Sequence, residues 1–359
     1  MTILSPTLRF KTSRRGRISQ CLLLLMLMLF STACVHQDPV EPMPEPPVKQ
    51  DPFMTLTVTH TLDWTWYEMT MTRAASGMLP RYHFQVFKAG DTDRKVWEKS
   101  FTTSDMSRSD FTTDITLPVG AYDLYAWSDY ADADSENSLF FDTSDFTAVN
   151  YAGNYTGNSD SRDAFRGFLT FSLSEDDGIH FDRNYTLQLE RPMARYEFRA
   201  TDILEFIDRE TTRGVLTRVS GEVQATGPSD IAQKLPELGK YRVKMIYTGY
   251  MPSKFNNILN RPVDSSTGVT YDATINILSE EEARLGFDYV MVNGSESSVP
   301  VAMEIYDPKG QLIGRTNPID VPTKRGRTTI VRGRFLTSQA SGGVGINPDF
   351  NGDFNIEIK

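Results

Sequence analysis

The 359-residue sequence is short of histidine, cysteine and continuous apolar stretches, and each shortage excludes something. His36, His60, His83 and His180 are scattered without any short metal-ligand spacing, so neither a zinc site nor a histidine-based triad is indicated. His83 falls in an alternating segment and reads as an ordinary strand histidine. There is no Gly-x-Ser-x-Gly elbow, Walker loop or dinucleotide fingerprint, and Gly342, Gly343 and Gly345 form a flexible stretch with no helix after it. No catalytic residue, cofactor or metal is expected. The one strongly apolar run, CLLLLMLMLF at residues 21–30, is about half of the roughly 20 residues a bilayer-crossing helix needs.

What flanks that run explains it. Arg9, Lys11, Arg14, Arg15 and Arg17 precede it, and Ser31, Thr32, Ala33 and Cys34 follow, the layout of a secretory signal cleaved ahead of a lipid-bearing cysteine. Ser31 stands where such signals usually carry leucine. Residues 1–33 are therefore expected to be a bacterial lipoprotein signal peptide, with Cys34 as the lipid attachment. Cys21 leaves with the signal and Cys34 is acylated, so no disulfide forms within the mature chain. Five of the 37 basic residues leave as well and none of the 47 acidic ones, which gives a mature net charge of about −15. Such a surface repels nucleic acid and anionic lipid, and leaves the acyl chains as the membrane attachment.

Residues 34–52, rich in proline and acid, read as an extended tether. Beyond it the pattern is β: residues 53–60, 81–88, 95–101, 111–117, 121–127, 168–173 and 184–189 largely alternate apolar with polar side chains. A second series follows at 195–200, 215–224, 241–247, 271–277, 287–292, 299–306, 328–335 and 354–358. Two short helices are expected in the second series, opened by the capping-box pairs Asp202 with Glu205 and Ser279 with Glu282. The fold class is all-β: two tandem antiparallel, Ig-like β-sandwiches, residues 53–192 and 193–359, with the boundary marked by Pro192. One large irregular sandwich is the alternative.

Acids are dense in Asp129, Asp132, Asp134, Glu136, Asp142 and Asp145, but the order of a calcium loop fails, and a solvated loop is expected. Aromatics crowd the same region. Trp127, Tyr130 and Tyr155 are the candidate glycan contacts, set against the simpler reading that strand aromatics are core and loop aromatics pin a long connection.

The stretches GAYDLYAWSDYADADSENSLFFDTSDFTAV, GNSDSRDAFRG, LERPMARYEFRATDILEFI and VPTKRGRTTIVRGRFLTSQASGGVGINPDFNGDFNIEI resemble lipoproteins of the Bacteroidales fimbrillin superfamily, close to the FimB-type fimbrial anchor and assembly subunits. The resemblance implies two transthyretin-like sandwiches, an outer-membrane lipoprotein at the cell surface, and fimbrial or fimbrillin-like subunits as partners through strand complementation. Polymerising members lose their first strand to an Arg-specific protease, and Arg73, in Met-Thr-Arg-Ala-Ala after the first alternating segment, matches such a site. Anchor-type members keep their lipid and cap the fibre base. Residues 345–359 read either as a donated strand or, more simply, as the last strand of the second sandwich. The expected function is a non-enzymatic, lipid-anchored structural protein that anchors, assembles or decorates fimbriae. The alternative is a surface glycan-binding lipoprotein.

Overall fold

In the computed structural model the described residues are 53–60, 78–103, 110–132, 135–174, 184–214, 234–337 and 354–358. Cys34, Arg73 and the expected strand at 215–224 lie outside them. Asp51–Lys359 form one compact unit.

The first series of strands comprises β1 (Phe53–His60), β2 (Met78–Lys88), β3 (Asp91–Thr102), β4 (Asp110–Thr116), β5 (Gly120–Asp132), the short β6 (Phe141–Asp142) and β7 (Val149–Tyr151), β8 (Phe165–Leu173) and β9 (Asn184–Leu189). The second runs through β10 (Met193–Ala200), the helix α1 (Ile203–Thr212), β11 (Arg242–Tyr247), β12 (Met251–Asn256), β13 (Arg261–Ser266), β14 (Thr270–Thr274) and β15 (Asn276–Ile277). It ends with β16 (Ala283–Met291), β17 (Glu296–Tyr306), β18 (Leu312–Arg315), β19 (Ile319–Lys324), β20 (Thr328–Gly333) and β21 (Phe354–Ile358).

The topology contains a duplication. In the first series β4-β1-β9 form one sheet and β3-β2-β5-β8 another. In the second, β16-β10-β20 and β14-β11-β17, with β19 on the far side of β17, repeat that order strand for strand. The pairing senses repeat too: β1 is antiparallel to β4 and parallel to β9, as β10 is antiparallel to β16 and parallel to β20. Outside the repeated set stand β6 and β7 in the first series and α1, β12, β13, β15, β18 and β21 in the second. The insertions β13-β12 and β7-β6 join into a sheet of their own.

Three apolar cores follow from strand alternation. Leu56, Val58, Ile115 and Leu187 on one sheet face Phe84, Val86, Leu124 and Phe171 on the other. Tyr196, Phe198 and Leu285 face Val243, Met245, Val301 and Ile305 in the second sandwich, closed by Phe206 and Ile207 of α1. The third core uses side chains from both series: Phe87, Tyr125 and Trp127 from β2 and β5 meet Phe255, Phe287, Tyr289 and Met291. The first sandwich therefore buries both faces of β5.

The helix at Asp202 forms, but its expected cap does not. Asp202, fully buried, makes no capping bond and instead accepts hydrogen bonds from the Leu336 and Thr337 backbone N–H groups (3.3 and 2.7 Å) and the Thr337 hydroxyl (2.7 Å). The second expected helix is a correction. Ser279 Oγ accepts from the N–H groups of Glu281 and Glu282 as a cap would, yet the chain continues as β16, paired with β10 along its whole length. A ladder of that length outweighs one capped turn, and Glu282 is drawn to Arg332 (2.7 Å) and Arg199 (3.3 Å). Among the described residues no helix is long and apolar enough to cross a membrane.

Candidate strand-exchange site

β1, FMTLTVTH, is rich in β-branched residues and alternates along its length, which suits a half-buried strand. It is the middle strand of its sheet: Leu56 lies opposite Thr113 of β4 and Tyr185 of β9, and Val58 opposite Phe111 and Leu187. Leu56 and Val58 are fully buried among Ile115, Leu117, Leu187 and Leu189. On the other face Thr55 donates to Asp114 at 2.7 Å. Withdrawing β1 leaves β4 and β9 each with an unpaired ladder edge and opens a slot onto the first core. β10 has the same topological position, but its chain runs on into α1, whereas β1 is followed by the segment that carries Arg73.

Gly167 of β8 sets how closely this sheet approaches its partner. A Cβ there would stand 2.6 Å from the Leu189 side chain and 3.0 Å from that of Leu187, so any larger residue must displace these two buried side chains.

The acid-rich region between β5 and β8 is mostly structural. Arg81 pairs with Asp129 at 3.1 Å, both side chains at most 5% exposed, and Ser138 donates to the same carboxylate at 2.5 Å. Burial pushes the Asp129 carboxyl up, against the pull of Arg81. Beside it His83 contacts Ser100 Oγ (2.7 Å) and Glu98 (3.1 Å); burial, then the Arg81 charge, push its pKa down to about 4, with Glu98 opposing. Asp142 and Asp145 each accept from the backbone and hydroxyl two residues on, at Ser144 and Thr147, and so hold turns. Among the described residues no group of three His, Cys, Asp or Glu side chains is placed to hold a metal.

The three candidate glycan contacts are not a shared exposed surface. Trp127 is fully buried against Phe141 (5.4 Å) and Phe255 (6.0 Å), and Tyr130 is 2% exposed. Neither offers a ring face to a sugar, because β5 is covered on both sides. Tyr155 is half-buried, with its hydroxyl on Asp288 (2.5 Å) and the Arg162 guanidinium over its ring (4.0 Å).

Sequence reasoning missed the polar joint between the two series. Arg162 Nη1 donates to Asp288 Oδ1 at 3.1 Å, and Arg166 donates to Asn257 Oδ1 (3.2 Å) and O (3.0 Å). Within the first series Arg191 makes two 2.8 Å bonds to Asp163, and within the second Arg325 donates to the Asn260 carbonyl at 2.8 Å. Partners so far apart in the chain carry no local pattern.

Among curated proteins none matches the sequence. Solved structures similar to the chain include the fimbrial anchor protein Mfa2 from Porphyromonas gingivalis, at 10% identity and a TM-score of 0.38, covering 74% of this chain and 82% of that one. A fimbrial assembly protein from Parabacteroides distasonis is similar at 12% identity and a TM-score of 0.39, covering 79% and 90%. By sequence the chain belongs to the family described as Family of unknown function (DUF6562), which it matches over residues 49–359.

Proposed function

We propose that this is a lipid-anchored cell-surface structural protein, held to the outer membrane through Cys34, that anchors, assembles or decorates fimbriae by exchanging strands with neighbouring subunits. Residues 53–192 and 193–359 are its two sandwich domains, and the first carries the exchange site. The observation that carries the reading is the place of β1: a strand at the start of the β series, central in its sheet, with alternate side chains buried and an arginine in the segment that follows. An incoming strand would run antiparallel to β4 and parallel to β9, with apolar residues at the positions of Leu56 and Val58 and small β-branched residues between them. The lipoprotein signal, the tether and the fimbrillin-like motifs support the same reading.

The test is cleavage after Arg73 by an Arg-specific protease, with mixing against fimbrial subunits purified from the same cells. A stable complex is expected from the cleaved protein; a peptide of the β1 sequence offered as competitor should abolish it, and the same peptide with Val58→Asp should not. Loss of β1 without any gain in subunit binding, together with unchanged fibres in a deletion strain, refutes it.

A further inference from the structure

The duplicated sandwiches need not have shared anything but a boundary, yet a piece of the first is built into the second. Residues 149–163 belong to the β5–β8 connection of the first series. β7 nevertheless pairs with β12, Val149 opposite Phe255 and Asn150 opposite Lys254. Farther on, the Asn158 N–H donates to the Phe287 carbonyl of β16 at 3.0 Å. Gly157 lies flat on the Tyr271 ring: a Cβ there would be 2.5 to 2.7 Å from three of its carbons, too close for any other residue without displacing the ring.

The centre of the contact is Asp288, fully buried on β16. It accepts from Tyr155 (2.5 Å) and Arg162 (3.1 Å) of this segment, and from Tyr247 (2.7 Å) of its own sandwich. Tyr247 in turn accepts from Tyr196 (2.8 Å), whose hydroxyl lies 3.1 Å from that of Tyr271. Arg162, 1% exposed, spans the segment through a 2.8 Å bond to the Thr156 carbonyl and sits over the rings of both Tyr151 and Tyr155. A fully buried carboxylate linked to the hydroxyls of its own core thus depends for its counter-charge on an arginine from the other sandwich.

We infer that residues 149–163 are a brace that completes the core of the second sandwich, so that the second sandwich does not hold its structure without the first and the two open as one cooperative unit. Sequence insertions of this kind normally decorate a domain surface. Here the insertion of one repeat, β7, has become a strand beside the insertion of the other, β12, and its side chains fill the neighbour's polar centre. The inference is independent of strand exchange at β1.

Hydrogen exchange read by mass spectrometry on the whole protein tests it. Arg162→Met removes the counter-charge and keeps the bulk; exchange should rise by about a hundredfold or more in β11 and β16 of the second sandwich and in β1 and β4 of the first alike, and a rise confined to the second sandwich overturns the joint opening. Asn154→Ala, at an exposed position of the same segment, should leave both unchanged. If Arg162→Met does not fold, Tyr155→Phe removes one donor only and should raise exchange in the same four strands about tenfold. Faster exchange confined to residues 149–163 in either variant overturns the inference, as do two separate thermal transitions in the unaltered protein.

Discussion

His83 gives the protein a stability that falls as acid is added, and its size follows from its surroundings. His83 is 6% exposed, its imidazole beneath Phe146, between Ser100 and Glu98, and within reach of the Arg81 and Lys95 charges. Burial and the Arg81 charge press its pKa from 6.5 down to about 4, against the attraction of Glu98. The fold thus prefers the neutral ring. Its contribution is full above the unfolded-state pKa near 6.5, is lost as the pH falls from there to about 4, and is constant below. Linkage gives a loss of about 2 kcal/mol at pH 5 and about 3 kcal/mol at pH 4, relative to pH 7.5. The assay is urea unfolding of the purified protein and of His83→Gln at pH 7.5, 6, 5 and 4. Glutamine cannot titrate, so the stability of the wild type relative to His83→Gln should fall by those amounts. Because Asp129 and Asp288 are shared by both proteins, their titration cancels in the comparison. A difference between the two proteins that does not change with pH would refute the account of the buried neutral ring.

Leu56→Ala should cost about 2–5 kcal/mol in urea unfolding, because a fully buried side chain leaves a cavity between β4 and β9. Asp202→Ala strands two backbone N–H groups and one hydroxyl at Leu336 and Thr337, and should cost about 1–3 kcal/mol, with exchange at Thr337 as the local readout. Gly167→Val drives a side chain into Leu187 and Leu189 and should destabilise by at least about 1–3 kcal/mol, seen as a lower melting temperature. Cys34→Ala should move the protein from the membrane pellet to the soluble fraction of fractionated cells; retention in the pellet would contradict attachment through lipid at that residue.

Strands that face solvent on one side and a core on the other were legible from alternation alone. β1 and β9 begin and end where the pattern does, since nothing but their own sheet dictates their faces. β12 and β13 were not, because MPSKFN and RPVDSS contain proline and too few apolar residues; they are strands by virtue of what pairs with them. Trp127 shows the same limit at the candidate site. Alternation assigns it to the face of β5 away from the first core, and a face away from a core reads as exposed. The third core covers it, and that core exists only once both series have folded. Asp288 is the extreme case, a single acid in FDYVMV whose partners Tyr155 and Arg162 lie more than a hundred positions upstream in the chain.

The parallel pairing of β1 with β9 also sets an order of events in folding. Leu56 is among the first core residues to be synthesised, but Tyr185, its partner on the parallel side, follows 129 positions later. Closing a loop of that length is slow compared with forming the β2–β3 hairpin, whose ends are a few residues apart. Until β9 emerges, β1 has an antiparallel neighbour at most, and the slot it will occupy is not yet complete. The last step in completing the first sheet is therefore the pairing of β9 with β1, and until then one edge of β1 is unpaired.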